Sequence, residues 1–310
     1  NNQNLTHSEY LQANVTLLND ILTIASKISI KKIINLTTFH VFFDKRNGYA
    51  QSKLVALETL KMTKNLTIVN IFSPAMHGGK FKGKLRIFNS LPVYVCHKAF
   101  KFISAFEPVV DLNQVKETIK AEVFSFNTLS RDIYVADEKN DNFTYKSFKI
   151  FSDIGFSVVV LIIFWWLLLA IWIAVKLSSN GPGLFSQIRV GKDRVPFTCY
   201  KFRTMDIKTK NVGTHDVDSN LVTSFGKFLR RTKLDELPQI INIFRGELSL
   251  VGPRPGLPNQ KELYNERCSR GIFNMKPGIT GYAQVNDVDM SNPKKLVDWD
   301  EKYMALRSIN

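Results

Sequence analysis

An α/β fold class is predicted by three features of the sequence. Helix-like and strand-like stretches alternate up to about residue 135, a 22-residue charge-free run follows from Ile154 to Val175, and the remainder mixes short apolar segments with Gly-Pro turns. The 310 residues accommodate one large or two ordinary domains, each able to bury a core. The chain divides accordingly into a parallel-sheet domain over residues 1–135, a linker over 136–152, a membrane helix over 153–176 and a mainly helical α+β domain over 177–310.

In the first part, "SEYLQANVTLLNDILTIASK" carries apolar residues at helical spacing and "KKIINLTTFHVFF" reads as a strand. "YAQSKLVALETLKMT" is again helical, and "NLTIVNIFS" is a second strand. Strands separated by helices pair in parallel, because a parallel connection needs a long crossover. The stretch "SRDIYVADEKNDNFTYKS", residues 130–147, is polar and reads as a linker. The run bounded by Asp153 and Lys176 is apolar on every face and carries Trp165, Trp166 and Trp172. About 20 apolar residues cross a bilayer core as a helix, and such a run is expected to be embedded in lipid. Lys146 and Lys149 precede it, while Lys176, Arg189 and Lys192 follow, so positive charge gives no orientation. A re-entrant helix with both ends on one face and a full crossing are equally compatible. Further on, "SNLVTSFGKFLRR" is an amphipathic helix with Leu221, Phe225, Phe228 and Leu229 on one face.

A formal charge of +15 and a pI near 9.6 imply an anionic partner: nucleic acid, an acidic membrane surface or a phosphorylated substrate. Hydrophobic content of 45% with 23 Phe excludes a disordered chain. Cys96, Cys199 and Cys268 lie far apart without a CxxC pair, which excludes a disulfide framework and suits a reducing compartment. The polar opening "NNQNLTHSEY" shows no signal-peptide pattern.

Tyr49 and Lys53 in "YAQSK" are four apart, hence on one helix face. An ammonium near a phenol favours the phenolate, which would serve as a base near neutral pH. Thr37-Thr38, upstream, would supply a hydroxyl. "GGKFKGK", from Gly78, approaches a phosphate-binding loop, but Leu85 stands where Ser or Thr must hold magnesium, so it reads as a basic turn. Over residues 5–125 the chain resembles the extended short-chain dehydrogenases, the nucleotide-sugar epimerases and dehydratases. The resemblance puts their Ser/Thr, Tyr and Lys on Thr38, Tyr49 and Lys53 and implies a partial Rossmann-like parallel sheet. The glycine-rich turn that seats a dinucleotide is missing, so NAD is not expected to bind this chain.

In the second part, Lys201, Arg203, Arg230, Arg231 and Arg254 lie near turns or element ends, where cations grip phosphate oxygens. "VGPRP" and "KPGITG" make rigid turns that a ligand can approach closely. The adjacent acids of "RRTKLDELPQIIN" have two readings. Thr232 as N-cap with Asp235 as its N3 partner would give an ordinary acidic first turn that complements the helix dipole. Alternatively, Asp235 and Glu236 amid arginines make an ionised nucleophile beside a magnesium ligand.

Residues 149–310 carry "FSQIRVGKDRVPFTCYKFRTM", "LRRTKLDELPQIINIFRGELSLVGPRP" and "KPGITGYAQV" behind the apolar run. That order of motifs resembles the bacterial sugar transferases that are monotopic polyprenyl-phosphate phosphoglycosyl transferases. The resemblance implies attack by Asp235 on the β-phosphate of a UDP-sugar, release of UMP, and transfer of the phosphosugar to polyprenyl phosphate. Glu236 would hold Mg2+, with Lys201, Arg203, Arg230 and Arg254 binding phosphates or the lipid head group. It further implies membrane lipids as partners, no nucleic acid, compatibility with a homo-oligomer, and the bacterial inner (cytoplasmic) membrane with the catalytic domain facing the cytoplasm. Trp165-Trp166 occupies the place of the family's helix-breaking Ser-Pro pair, and the family continues as helix past "EKYMALRSIN". The competing reading is an NAD-dependent nucleotide-sugar epimerase or dehydratase with a membrane anchor; a catalytically dead scaffold is the third.

Overall fold

The computed structural model describes residues 6–43, 48–63, 66–78, 90, 92–135, 137, 139–178, 180–205 and 221–309. The basic turn that begins at Gly78 falls largely outside these residues. The chain forms two compact units, one of residues 1–144 together with 305–310 and the other of 145–304.

The first unit is α/β with a parallel sheet. Helices α1 (His7–Leu11) and α2 (Leu17–Lys27) are joined by a π turn, Gln12–Thr16, and Thr6 closes a capping box with Glu9. Strand β1 (Lys32–Thr38) is followed by the short helix α3 (His40–Phe43) and by α4 (Gly48–Met62), which leads into β2 (Thr67–Ser73). The expected strand at 31–43 is therefore only half strand: the chain turns at Phe39, whose N–H donates to Ser73 O, and continues as helix. β3 (Ala75–His77), α5 (Val93–Phe106), β4 (Val109–Asp111), α6 (Leu112–Phe124) and β5 (Arg131–Tyr134) complete the unit. β1, β2 and β5 pair in parallel in that order, and β3 pairs in parallel with β4. Phe39, Leu57, Phe72 and Tyr134 build one core, with Phe72 and Tyr134 stacked at 5.0 Å. Val69, Ile71, Val110 and Val115 build another.

The polar stretch 130–147 is not simply a linker. Ile133 and Tyr134 pack into separate cores on the two faces of β5, while Asp132 accepts from the buried Asn70, which in turn accepts from Asn35. A polar side-chain ladder across three strands accounts for this strand's hydrophilic composition.

The second unit opens with α7 (Phe143–Ser178), a single 36-residue helix that begins ten residues before the expected membrane segment. It runs without a break through Trp165-Trp166, which is physically reasonable because no proline removes a backbone donor there. Its buried positions Asp153, Ser157, Ile171 and Val175 share one stripe, since 18 residues are five turns. Phe164, Trp165 and Trp166 are exposed.

The rest of the unit is mixed. β6 (Leu184–Val190) and β7 (Pro196–Phe202) make an antiparallel hairpin, followed by α8 (Ser224–Thr232) and α9 (Ile240–Phe244). β8 (Ser249–Val251) pairs in parallel with β9 (Gly278–Thr280), with α10 (Lys261–Ser269) between them. α11 (Tyr282–Val285) and α12 (Pro293–Leu306) follow. α8 is shorter than expected: Leu221 precedes it and is exposed, Leu229 is fully buried, and Phe225 stacks on Phe228.

Candidate active site

Helix α8 is started by Thr223, whose Oγ1 accepts from Gly226 N at 2.9 Å. A Cβ at residue 226 would lie 2.1 Å from Thr204 O, so only glycine lets the helix approach this strand end. That contact places Arg230 Nε 2.9 Å from Thr204 Oγ1. α8 then ends at Lys233, which adopts the left-handed conformation at φ 59. Thr232 is consequently not the N-cap expected for the acidic turn. It is the last residue of α8, and its Oγ1 donates back to Phe228 O at 2.9 Å. Beyond Lys233 the chain tightens into a 3-10 helix, Leu234–Gln239, with Asp235 and Glu236 in its first turn and Pro238 inside. Pro238 is the fifth residue of this turn, two before α9 begins at Ile240, and its fixed φ suits the helical backbone there.

This turn faces the hairpin. Register sets Phe185, Gln187 and Arg189 opposite Lys201, Cys199 and Phe197, and opposed residues share a face of the sheet. Gln187, Arg189 and Lys201 thus share one face with Phe185, Phe197 and Cys199, of which Phe197 and Cys199 pack into a core with Ile243 and Leu248. Glu236 Oε1 accepts from Lys201 Nζ at 2.7 Å and from Arg254 Nη2 at 2.6 Å. The turn after β8 delivers Arg254, and its backbone is held from behind: Arg267 Nη1 donates to Arg254 O at 2.8 Å. Arg267 is fixed in turn by Asp300 Oδ2, at 2.9 and 2.7 Å, with both side chains buried.

The electrostatics separate the two acids. Burial raises the pKa of Glu236, but the Arg254 and Lys201 charges outweigh it and hold the group at about 2. Asp235 moves the other way: burial pushes it above 3.8, opposed by Lys201 and reinforced by Glu236. Its Oδ1 is buried and has no hydrogen-bond partner among the described residues. Burial lowers Lys201, aided by Arg254, and lowers Arg230. Arg254 lies above its ordinary value because the Glu236 pair overcomes its burial.

Asp235, Glu236, Lys201, Arg230 and Arg254 are therefore brought together. Arg203 lies just past β7 on the Lys201 side of the strand alternation, buried, with its N–H donated to Gly183 O. Arg189, counted in the sequence only among the positive charges after the apolar run, is buried beside Arg254 and Glu236, donating to Pro255 O at 3.0 Å and to Gln187. Burial lowers its pKa to about 10. Recognising "QIRVGKDRVPFTCYK" as a hairpin would have placed it.

Thr38, Tyr49 and Lys53 belong to the first unit. Thr38 Oγ1 accepts from His40 N, and Tyr49 packs edge-on against Tyr10 at 5.6 Å. Lys53 Nζ stands 6.0 Å from the Tyr49 ring centroid. Burial, then Tyr10, raises Tyr49 instead of lowering it, and burial lowers Lys53. At that separation the ammonium does not offset desolvation, contrary to the phenolate expectation.

Among the described residues no group of three or more His, Cys, Asp or Glu side chains is placed to hold a metal. Magnesium requires less, keeping its waters and binding through one or two carboxylates plus substrate phosphates. An unpartnered Asp235 oxygen next to an ionised Glu236 whose described donors all fall on Oε1 fits such an ion.

The family model described as bacterial sugar transferase matches residues 144–310. An uncharacterized sugar transferase of Bacillus subtilis is 40% identical over 129 residues, 42% of this chain and 60% of that protein. The UDP-glucose:undecaprenyl-phosphate glucose-1-phosphate transferase of Escherichia coli is 39% identical over 51% of this chain and 36% of its own length. The undecaprenyl-phosphate galactose phosphotransferase of Salmonella typhimurium is 34% identical over 50% of this chain and 36% of its own length. The chain thus spans between about a third and three fifths of these relatives. With the family's pattern covering more than half of its residues, the chain belongs to the bacterial sugar transferases.

Proposed function

We propose that the chain transfers a phosphosugar from a UDP-sugar to polyprenyl phosphate at the bacterial inner membrane, releasing UMP and starting glycoconjugate assembly. The observation that carries this is the contrast between the two acids: Asp235 buried, more basic than usual and with an unpartnered oxygen, beside a Glu236 fixed by two cations. The activity of the Escherichia coli relative supports the UDP-sugar donor, and it and the Salmonella relative support the polyprenyl-phosphate acceptor.

Asp235 Oδ1 attacks the β-phosphorus of the UDP-sugar, and the bond to the bridging oxygen breaks, so that oxygen leaves on UMP. The phosphosugar remains on the carboxylate as an acyl phosphate. An oxygen of polyprenyl phosphate then attacks the same phosphorus and expels the carboxylate, which restores Asp235. Lys201, Arg230 and Arg254 bind the diphosphate and orient it in line. Glu236 would hold Mg2+, which when bound neutralises phosphate charge and assists the leaving group.

Incubation with a panel of UDP-sugars, Mg2+ and polyprenyl phosphate should give UMP and a lipid-linked phosphosugar. Asp235→Asn should lower that turnover at least about a thousandfold, as removing a covalent nucleophile does. Undiminished turnover in the variant would sink the mechanism.

A further inference from the structure

We infer that Asp153, just before the charge-free run of α7, is a positioning residue that ties that helix to the turn carrying Arg254. Asp153 is 5% exposed, and its Oδ1 accepts the backbone N–H of Leu250 at 3.0 Å and a proton of Lys149 Nζ at 3.3 Å. Leu250 lies in β8, four residues before Arg254.

Neighbouring backbone groups of the strand and its turn are engaged elsewhere. Ser249 N donates to Pro277 O, Gly252 N to Thr280 O, and Pro253 O accepts from Gly278 N, all at 2.9 Å. Val251 O accepts from the Tyr303 hydroxyl at 3.0 Å. Alternation turns the Leu250 N–H away from β9, toward the side where no strand follows among the described residues. There the carboxylate stands in for a neighbouring strand's carbonyl. It is the contact that reaches β8 from α7, 97 residues away in sequence.

A buried carboxylate is costly unless its lone pairs are used, so a hydrophobic residue would suit this helix position better if packing were its only task. Held as it is, Asp153 fixes β8, and thereby the Gly252-Pro253-Arg254 turn, to the residue that bounds the apolar run. Lipid seating of that run would then set the position of the guanidinium that grips Glu236. The catalytic consequence rests on the phosphosugar transfer proposed above.

The test uses the full chain in lipid nanodiscs. Asp153→Ala should lower UMP release about ten- to a hundredfold, the scale of a lost hydrogen bond to a charged acceptor. Asp153→Asn, which keeps the accepting oxygen and removes the charge, should stay within about threefold of the parent chain. Both variants should still sediment with lipid. Hydrogen exchange at the Leu250 amide, read without substrate, should be as slow as at Ser249 in the parent and in Asp153→Asn, and faster in Asp153→Ala. Full activity in Asp153→Ala, or equal losses in both variants, would overturn the inference. Should Asp153→Ala fail to fold, rapid Leu250 exchange in the parent or a large loss in Asp153→Asn would do the same. A parent chain that releases no UMP, yet protects Leu250 in an Asp153-dependent way, would refute the transferase function and leave the tie intact.

Discussion

Burial raises the pKa of Asp235 above 3.8, while two cations hold its neighbour Glu236 at about 2 against the same burial. These shifts act on stability with opposite signs. Glu236 contributes stability that is in place above its ordinary 4.5 and is lost only as pH falls through about 2. Asp235 is the reverse: ionising it in the folded protein costs stability above its raised pKa, and acid relieves that cost. Asp235→Asn, inactive as a nucleophile, is therefore expected to melt about 2–4 °C higher than the parent at neutral pH; a lower melting temperature would contradict the electrostatics. The acid limb of kcat/KM should follow one ionisation lying above 3.8, that of Asp235, because Glu236 stays charged throughout. A limb of slope two would show that both acids titrate together.

Among the elements, α7 makes the strongest statement about topology. Asp153 near its beginning bonds Leu250, while Ile171 and Val175 near its end pack with Phe202 and Leu229. Trp172 lies so close to Gly183 that a Cβ there would come within 2.5 Å of the ring. Asp153 and Ile171 are about 27 Å apart along a helix, so one compact unit supports both ends. A helix crossing the bilayer would touch a soluble domain at one end only. Cysteines placed at Lys146 and Asn180, in a chain without Cys96, Cys199 and Cys268, should accordingly be labelled by an impermeant reagent from the same side of sealed vesicles. Labelling from opposite sides would mean a full crossing. The charge-free run announced this helix, but not its extent, because Tyr145 and Lys149 extend it through residues too polar for a membrane pattern. Local pattern likewise could not show that Lys233 would turn left-handed and take the capping role from Thr232, nor that the polar Asp132 strand belongs to a sheet. Those outcomes depend on partners distant in sequence: the hairpin for the acidic turn, Asn70 for Asp132. The acids and most of the cations gathered beside them were legible because each sits in a short motif; Arg189 and the Arg267–Asp300 pair were not, since their contacts appear only once the hairpin and α12 pack around Arg254.

For the whole molecule, two forces could hold the chain on a membrane: its charge of +15 and the exposed apolar surface of α7. Ile162 is 68% exposed, Trp165 60% and Trp166 55%, and Val159, Ile163 and Leu169 are also exposed. Burying each such side chain in lipid is worth about 1.5–3 kcal/mol, so these six alone contribute on the order of 10 kcal/mol. A basic residue near an anionic surface contributes about 1 kcal/mol, and the Debye length shrinks to about 3 Å in 1 M salt. The apolar term is therefore expected to dominate retention, with charge governing approach and substrate capture. Protein bound to vesicles containing anionic lipid should stay bound in 1 M NaCl and be released by detergent. Placing charges on the exposed stripe, as in Ile162→Lys with Trp166→Lys, should weaken binding far more than salt does. Release of the parent chain by salt alone would show instead that its basic surface carries the attachment and that the exposed face of α7 does not enter the lipid.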